Sequence, residues 1–103
     1  MTRPHFPDLI RRLPDFEGPF DAHRLAAEGC AVLFASYPAG TSIEPHTHPT
    51  RNVGVITRGE LVLTIGGEER RYGVGEWYLV EAHAEHAARF DVETSEIEFW
   101  FEA

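Results

Sequence analysis

The chain has only one cysteine, Cys30, among its 103 residues. A single thiol excludes an intramolecular disulfide and a zinc site built from cysteines. The longest apolar run is far too short to cross a bilayer. The N-terminal stretch MTRPHFPDLIRRLPDF also has no uninterrupted apolar segment of the kind that a signal peptide needs. These absences predict a cytoplasmic protein.

Basic residues are scarce, nine against seventeen acidic ones, so the formal net charge is −8. Such a surface repels phosphate backbones and anionic lipid headgroups, so we expect no nucleic-acid partner and no membrane partner. Hydrophobic residues make up 43% of the chain and charged residues 25%, which is ordinary for a soluble globular protein. The length predicts one domain with a modest core.

Long helical periodicity is also absent, since no segment carries an extended 3.6-residue pattern. Residues 1–20 predict an extended N-terminal arm with turns and no helix, because four prolines interrupt them. Residues 21–103 consist of short strand patterns between glycine turns, which predicts an all-β sandwich or barrel. The four prolines are Pro4, Pro7, Pro14 and Pro19.

Two turns predict hairpins. AHRLAA and CAVLFASY flank Glu28-Gly29, which favours a hairpin, although the same stretch would also fit a short helix capped by Asp21 and ended by Gly29. Gly66-Gly67 is a strong tight-turn signal between ELVLTIG and EERRY.

The last strand pattern, EIEFWFE, alternates between an apolar and an acidic face. Trp100 falls on the acidic face, where it would either cover part of a dimer contact or be a lone exposed aromatic. One face carries Ile97, Phe99 and Phe101, and the other carries Glu96, Glu98, Trp100 and Glu102.

The stretch PHTHPTRN contains the strongest chemical signal in the chain. Residues i and i+2 of a strand share one face, so His46 and His48 could point together into a barrel and bind a metal. They could also be two ordinary surface histidines beside a proline turn, since the H-x-H pattern alone is weak evidence for a metal site.

The surroundings favour the metal hypothesis. Gly40, His46, His48, Asn52 and Gly59 follow the spacing G-x5-H-x-H-x3-N-x6-G. This resembles the first motif of the cupins, G-x5-H-x-H-x(3,4)-E-x6-G, with asparagine in the place of the glutamate. Fifteen residues then separate Gly59 from Gly75, which is typical of the shortest cupins.

The second cupin motif, G-x5-P-x-G-x2-H-x3-N, is matched less fully. Gly75 and His86 occupy its first glycine and its histidine. Glu81, His83 and Phe90 stand where the motif has proline, glycine and asparagine. The resemblance covers residues 40–90 by motif and most of the chain by strand pattern.

The resemblance implies a single-domain cupin jelly-roll barrel, also called a double-stranded β-helix. It also implies one divalent transition metal, Fe, Zn, Ni, Mn or Cu, held inside the barrel by His46, His48 and His86. Asn52 is a fourth candidate ligand, or it hydrogen-bonds nearby backbone instead. Since small cupins usually dimerise by pairing their first strands, we expect a homodimer.

Two further residues are candidates for catalysis. Glu44 shares a face with His46 if the strand is regular, so it could orient a ligand or act as a base, or it could be a rim residue in water. His83 could act as an acid or base at the mouth, or simply occupy a turn. Phe90 has the parity of His86 and could line the pocket.

The cupin fold alone does not identify a function. A small metal-dependent enzyme of the dioxygenase, isomerase or lyase type, acting on a small molecule inside the barrel, is the first hypothesis. A non-catalytic module that binds or senses a small ligand is the second. A structural cupin with a vestigial site is the third.

Overall fold

The structure, a computed structural model, describes residues 6–16, 18 and 20–102. The elements in chain order are α1 (Asp8–Arg11), β1 (Asp21–Ala27), β2 (Cys30–Tyr37), β3 (Thr41–His46), β4 (Arg51–Arg58), β5 (Glu60–Ile65), β6 (Glu68–Gly73), β7 (Trp77–Val80), β8 (His86–Phe90) and β9 (Thr94–Phe101). No helix within the described residues is long and apolar enough to cross a bilayer.

The strands form two antiparallel sheets that enclose one core. The larger sheet has the order β1-β2-β9-β4-β7 and the smaller one the order β3-β8-β5-β6. Residues from both sheets, among them Tyr37, Ile56, Leu63 and Phe90, form the buried cluster between them. The predicted all-β jelly-roll fold is confirmed.

Both predicted hairpins are present. Ala27 pairs with Cys30, so Glu28-Gly29 is the two-residue turn between β1 and β2, and the alternative of a helix here was wrong. Gly66 and Gly67 have φ angles of 59° and 79°. Both values are positive, as a type I′ hairpin turn requires, and glycine reaches them without a steric penalty.

The N-terminal arm differs from its prediction, because Asp8–Arg11 form one helical turn. Prolines do not prevent this helix, since Pro7 lies immediately before it, where a missing N–H costs nothing. The Pro7 carbonyl accepts hydrogen bonds from the N–H groups of Ile10 and Arg11 at 3.0 and 3.1 Å. Residues 1–5, 17 and 19 of the predicted arm lie outside the described residues.

Strand β9 alternates as predicted, but its acidic face points into the barrel. Glu96 and Glu98 are only 1% and 3% exposed, whereas Phe101 on the opposite face is 41% exposed. Trp100 also points inward, with its ring centroid 5.0 Å from that of His48. Both alternatives for Trp100 were therefore wrong. Internal hydrogen-bond partners, described below, make this orientation possible.

Strand pairing places the site residues at one end of the barrel. His46 lies opposite His86 in the β3–β8 pair, and Asn52 lies opposite Trp100 in the β4–β9 pair. Glu98 is two residues deeper along β9 than Trp100, which corresponds to about 7 Å of strand rise. The barrel interior thus has a histidine layer with a carboxyl layer beneath it.

Candidate metal centre

His46 and His48 converge, although not for the reason that the sequence suggested. Strand β3 ends at His46, after a register shift between Ile43 and His46, and His48 lies in the segment before β4. Regular strand alternation therefore does not place them on one face. The irregular backbone nevertheless brings the two ring centroids within 5.6 Å of each other.

His86 completes the group from the first position of β8. Its ring centroid lies 4.3 Å from that of His46 and 4.7 Å from that of His48. One ring nitrogen from each of the three histidines lies within 4.8 Å of the other two. The structure thus brings together all three predicted histidine ligands.

Backbone carbonyls orient all three rings. A carbonyl oxygen can only accept a hydrogen bond, so the Nδ1 atom facing it must carry the proton. In each neutral ring the lone pair then resides on Nε2, the nitrogen left for a metal. The contacts are His46 Nδ1 to the Glu44 carbonyl at 2.8 Å, His48 Nδ1 to the Thr50 carbonyl at 3.1 Å and His86 Nδ1 to the Ala84 carbonyl at 2.8 Å.

The Nε2 atoms of His48 and His86 are 3.1 Å apart. In the tautomers just described both are acceptors, so their lone pairs repel unless a cation or a proton lies between them. Two nitrogens bound to one zinc ion at about 2.0–2.1 Å are about 2.9–3.4 Å apart, depending on the coordination angle. The observed spacing therefore fits two ligands of one ion.

His86 is the most enclosed of the three, with 6% of its surface exposed. Burial lowers its pKa below the ordinary value, and the neighbouring His46 and His48 lower it further, against the opposing hydrogen bond to the Ala84 carbonyl. The imidazole is therefore neutral at pH 7, which is the form that binds a metal.

Asn52 is 5% exposed and lines the same cavity. Its Oδ1 accepts a hydrogen bond of 3.0 Å from the Thr50 hydroxyl, whose oxygen is also 3.1 Å from Nδ1 of His48. The partner of the Asn52 Oδ1 is thus a side chain that also touches a histidine.

The two catalytic candidates lie outside this group. The Glu44 side chain is exposed and is not part of the cavity wall. Its carbonyl, and not its carboxylate, contacts His46, because the register shift breaks the expected alternation. His83 is exposed in the turn between β7 and β8, with φ of 65°, and its N–H donates to the His48 carbonyl at 2.8 Å.

The histidine layer opens onto a cavity of ≈ 70 Å³ inside the barrel. Its wall is largely apolar and includes Phe90, as the parity with His86 predicted. Four polar residues form the deeper part: Tyr37, Tyr78, Glu96 and Glu98.

The sequence interpretation missed the two glutamates. Tyr37 donates a short hydrogen bond to Glu98, and Tyr78 donates one to Glu96. Trp100 Nε1 donates to Oε1 of Glu98 at 3.1 Å. Glutamates that alternate with Ile97 and Phe99 are typical of a solvated face, so no local signal distinguishes this strand from one with its acids in water.

Both carboxyls are harder to ionise than exposed ones. Burial raises the pKa of Glu96 well above its usual value, and the charge of Glu98 adds to this effect. Burial also raises the pKa of Glu98, while hydrogen bonds from Tyr37, Trp100 and Glu96 oppose the rise. The two acids are neighbours on the inner face of β9, so repulsion between their charges opposes ionisation of both together.

Gly54 makes room for Tyr78. A Cβ atom on Gly54 would lie 2.3 Å from Cζ and 2.4 Å from the hydroxyl oxygen of Tyr78. The tyrosine ring therefore crosses β4 at the one position without a side chain, and this path brings its hydroxyl to Glu96.

Comparisons with known proteins agree with this architecture. The sequence profile of the family described as Cupin domain matches residues 33–100. H2HPP isomerase of Bacillus subtilis is 34% identical over 59 residues, which are 56% of this chain and 25% of that protein. The chain thus spans about a quarter of the length of this curated relative.

Solved structures with the same fold include a cupin superfamily protein from Desulfitobacterium hafniense. It is 18% identical with a TM-score of 0.78, over 100% of this chain and 94% of that one. KdgF from Halomonas sp. is 20% identical with a TM-score of 0.74, over 86% of this chain and 85% of that one. At these identities the likeness establishes the fold and not an activity.

Proposed function

The chain belongs to the cupin family, and from this we propose that it is a small metal-dependent enzyme acting on a small molecule inside the barrel. In this proposal the Nε2 atoms of His46, His48 and His86 hold one divalent transition metal. The observation that carries the proposal is the carbonyl-fixed orientation of all three rings, with two Nε2 atoms 3.1 Å apart.

The donor set fits such an ion. Three imidazoles suit Fe, Zn, Ni or Cu, and the carbonyl partners raise the basicity of each ring. Asn52 adds no negative charge, unlike the glutamate of the family motif. A bound divalent ion would supply Lewis acidity, polarising a carbonyl group or lowering the pKa of water.

The protein's own residues would bind and enclose the substrate. The apolar wall excludes water, which strengthens electrostatic interactions inside the cavity. Asn52 and Trp100 lie opposite each other beside the histidines and limit the shape of the entrance to the deeper cavity. The likeness to an isomerase favours an isomerase or lyase over a dioxygenase.

Metal content of the purified protein tests the proposal first. We expect about one ion per wild-type chain and a substoichiometric content in His48→Ala. His83→Asn is the matched control, because His83 is exposed and asparagine tolerates its positive φ. If His48→Ala keeps the full metal content, the ion is bound elsewhere and the proposal is wrong.

Assays of turnover distinguish an enzyme from a ligand-binding module and from a structural protein with a vestigial site. An oxygen-uptake screen of the metal-loaded protein detects a dioxygenase, and a proton-exchange screen with small carbonyl compounds detects an isomerase or lyase. Bound metabolite without turnover would instead support a ligand-binding or sensing module. Absence of stoichiometric metal after purification without chelators would support a vestigial site.

A further inference from the structure

The deep end of the cavity has hydrogen-bond acceptors to offer and few donors. Apart from the proton that the acid pair itself can hold, its donor groups are the Tyr37 and Tyr78 hydroxyls and the Trp100 indole N–H, and each already points at a carboxyl oxygen of Glu96 or Glu98. A ligand group that needs donors therefore finds no free hydroxyl or N–H group at this end among the described lining residues.

Acceptor capacity remains on the carboxyls. An ionised carboxylate has about four lone-pair sites. Glu98 uses two of them, for Tyr37 and Trp100. Two sites are left on a residue that lines the cavity, and the Glu96 carboxyl, which accepts from Tyr78, adds further capacity.

No cationic side chain balances these acids. The described residues that line the cavity include no arginine and no lysine. Glu96 and Glu98 are 1% and 3% exposed, so solvent does not screen them fully. The positive charge that would complement them has to come from the histidine end or from the ligand itself.

We propose that Glu96 and Glu98 determine substrate specificity, selecting a ligand whose inner end carries a hydroxyl or ammonium group and excluding one whose inner end is a carboxylate or phosphate. The inference rests on the proposed metal-dependent function, in which the outer end of the same ligand contacts the ion. The substrate class is then a small molecule with an oxygen ligand at one end and a hydrogen-bond donor at the other.

The preference for a hydroxyl or ammonium group is strong because Glu96 and Glu98 are buried away from water. A hydrogen bond to a charged group is worth about twice a neutral one. A ligand carboxylate would meet a like charge and unpaired lone pairs, both of which oppose binding. Burial raises the pKa of both acids, and repulsion between the two neighbouring carboxylates disfavours ionisation of both together.

A matched series of hydroxamic acids tests the inference in the zinc-loaded protein. Butanohydroxamic, β-hydroxypropanohydroxamic, β-alanine hydroxamic and succinohydroxamic acids share a metal-chelating head and a two-carbon spacer. They end in a methyl, a hydroxyl, an ammonium and a carboxylate group, respectively. Calorimetric titration at a pH where the amine is protonated gives the dissociation constant of each.

We expect the ammonium-ended and hydroxyl-ended probes to bind about tenfold tighter than the methyl-ended one, and the carboxylate-ended probe to bind weakest. In Glu98→Gln the side-chain amide replaces the charged acceptor, so the ammonium preference falls about tenfold. Glu102→Gln is the control, because Glu102 is exposed beyond the end of β9. Zinc content should be unchanged in both variants.

Equal affinities for the four probes in wild-type protein would overturn the inference, whether or not Glu98→Gln folds. So would a Glu98→Gln variant with the wild-type order of affinities. A wild-type protein that binds no zinc and no hydroxamate would overturn the proposed function as well. These outcomes separate the failure of the specificity inference from the failure of the metal site.

Discussion

Asn52 sets the charge of the proposed metal centre at the scale of a single residue. Where the cupin motif has a carboxylate, this chain has a neutral amide that accepts a hydrogen bond from Thr50. A centre of three imidazoles and an amide leaves the full positive charge on a divalent ion.

Asn52→Glu should tighten divalent metal binding by about tenfold or more, because it adds an anionic ligand to a buried site. It should also raise the pKa of metal-bound water, since the added negative charge disfavours hydroxide. Competition titration with a chelator measures the first effect, and the pH–rate profile measures the second. Wild-type values for both would mean that residue 52 lies outside the coordination sphere.

The buried acid pair also acts at the residue scale, through the pH dependence of stability. Burial raises the pKa of Glu96 in the folded protein, so in the unfolded state this carboxyl releases its proton at lower pH. Its contribution to stability is therefore fully present below its unfolded pKa, about 4.3, and is lost as pH rises towards the folded pKa.

Glu96→Gln should remove the loss of stability that occurs as pH rises. The amide imitates the protonated acid, accepting from Tyr78 and donating to Glu98, so stability at pH 4 should match the wild type. At pH 8 the variant should be more stable than the wild type, because the amide has no proton to lose while the buried carboxyl of the wild type is driven to ionise. Urea unfolding at both pH values measures this. If the substitution lowered the free energy of unfolding equally at pH 4 and pH 8, Glu96 would have an ordinary pKa.

At the scale of elements, the strand order β9-β4-β7 lets a side chain of β7 cross β4 and reach the polar, deeper part of the cavity. Tyr78 of β7 reaches Glu96 of β9 only because β4, the strand between them, has no side chain at Gly54. A Cβ atom at position 54 would overlap the ring of Tyr78 itself, so small shifts of the side chain would not relieve the clash.

Gly54→Ala should therefore destabilise the fold by about 1–3 kcal/mol, the usual cost of overpacking a core. The physical test is a double-mutant cycle with Tyr78→Ala, which removes the obstructing ring. If the clash is the cause, Gly54→Ala should cost much less in the Tyr78→Ala background. Additive losses in urea unfolding would instead assign the effect to the backbone of β4.

At the scale of the whole molecule, the outer face of the five-stranded sheet is apolar. Cross-strand pairing aligns two rows that span all five strands. The first row is Leu25, Val32, Phe99, Val53 and Leu79, and the second is His23, Phe34, Ile97, Val55 and Trp77. Apart from His23 the rows carry no ionisable group, although the chain has a net charge of −8.

This face is where we expect a second copy of the chain to bind. Dimerisation by pairing of first strands, as expected from the family, would use the free edge of β1. This edge is partly occupied, since Phe16 and Arg24 form backbone hydrogen bonds that join residues 14–16 to β1. The five strands have 7, 8, 8, 8 and 4 residues in sheet order. At about 3.3 Å per residue and about 4.8 Å between strands they present on the order of 550 Å². That area approaches what each partner of a stable dimer buries.

Light scattering should accordingly give twice the chain mass of 11.6 kDa at micromolar concentration. Leu79→Lys should shift the protein to monomer, because the charge would be buried in the interface. Val92→Lys is the matched control, since Val92 is 49% exposed against 48% for Leu79 but lies in the turn between β8 and β9. A monomeric wild type, or equal effects of the two variants, would contradict this assembly.

Local patterns in the sequence determined most of the fold. Gly66-Gly67 specifies a hairpin because only short-range backbone geometry is involved, whereas Glu28-Gly29 favoured a hairpin but also fitted the end of a short helix. Leu61 and Leu63 share one face of β5 because they are two residues apart, and both are buried in the core. The histidine spacing identified the family, so the three rings could be named before their positions were known.

The tertiary structure alone decided which face of β9 is internal and how the histidines are oriented. Alternation states that Glu96 and Ile97 point opposite ways, but not which side is water, because that depends on partners distant in sequence. Tyr37 and Tyr78 supply those partners, 61 and 18 residues from Glu98 and Glu96. The direction of each Nε2 likewise depends on backbone carbonyls whose positions follow from an irregular strand end, which periodicity cannot encode.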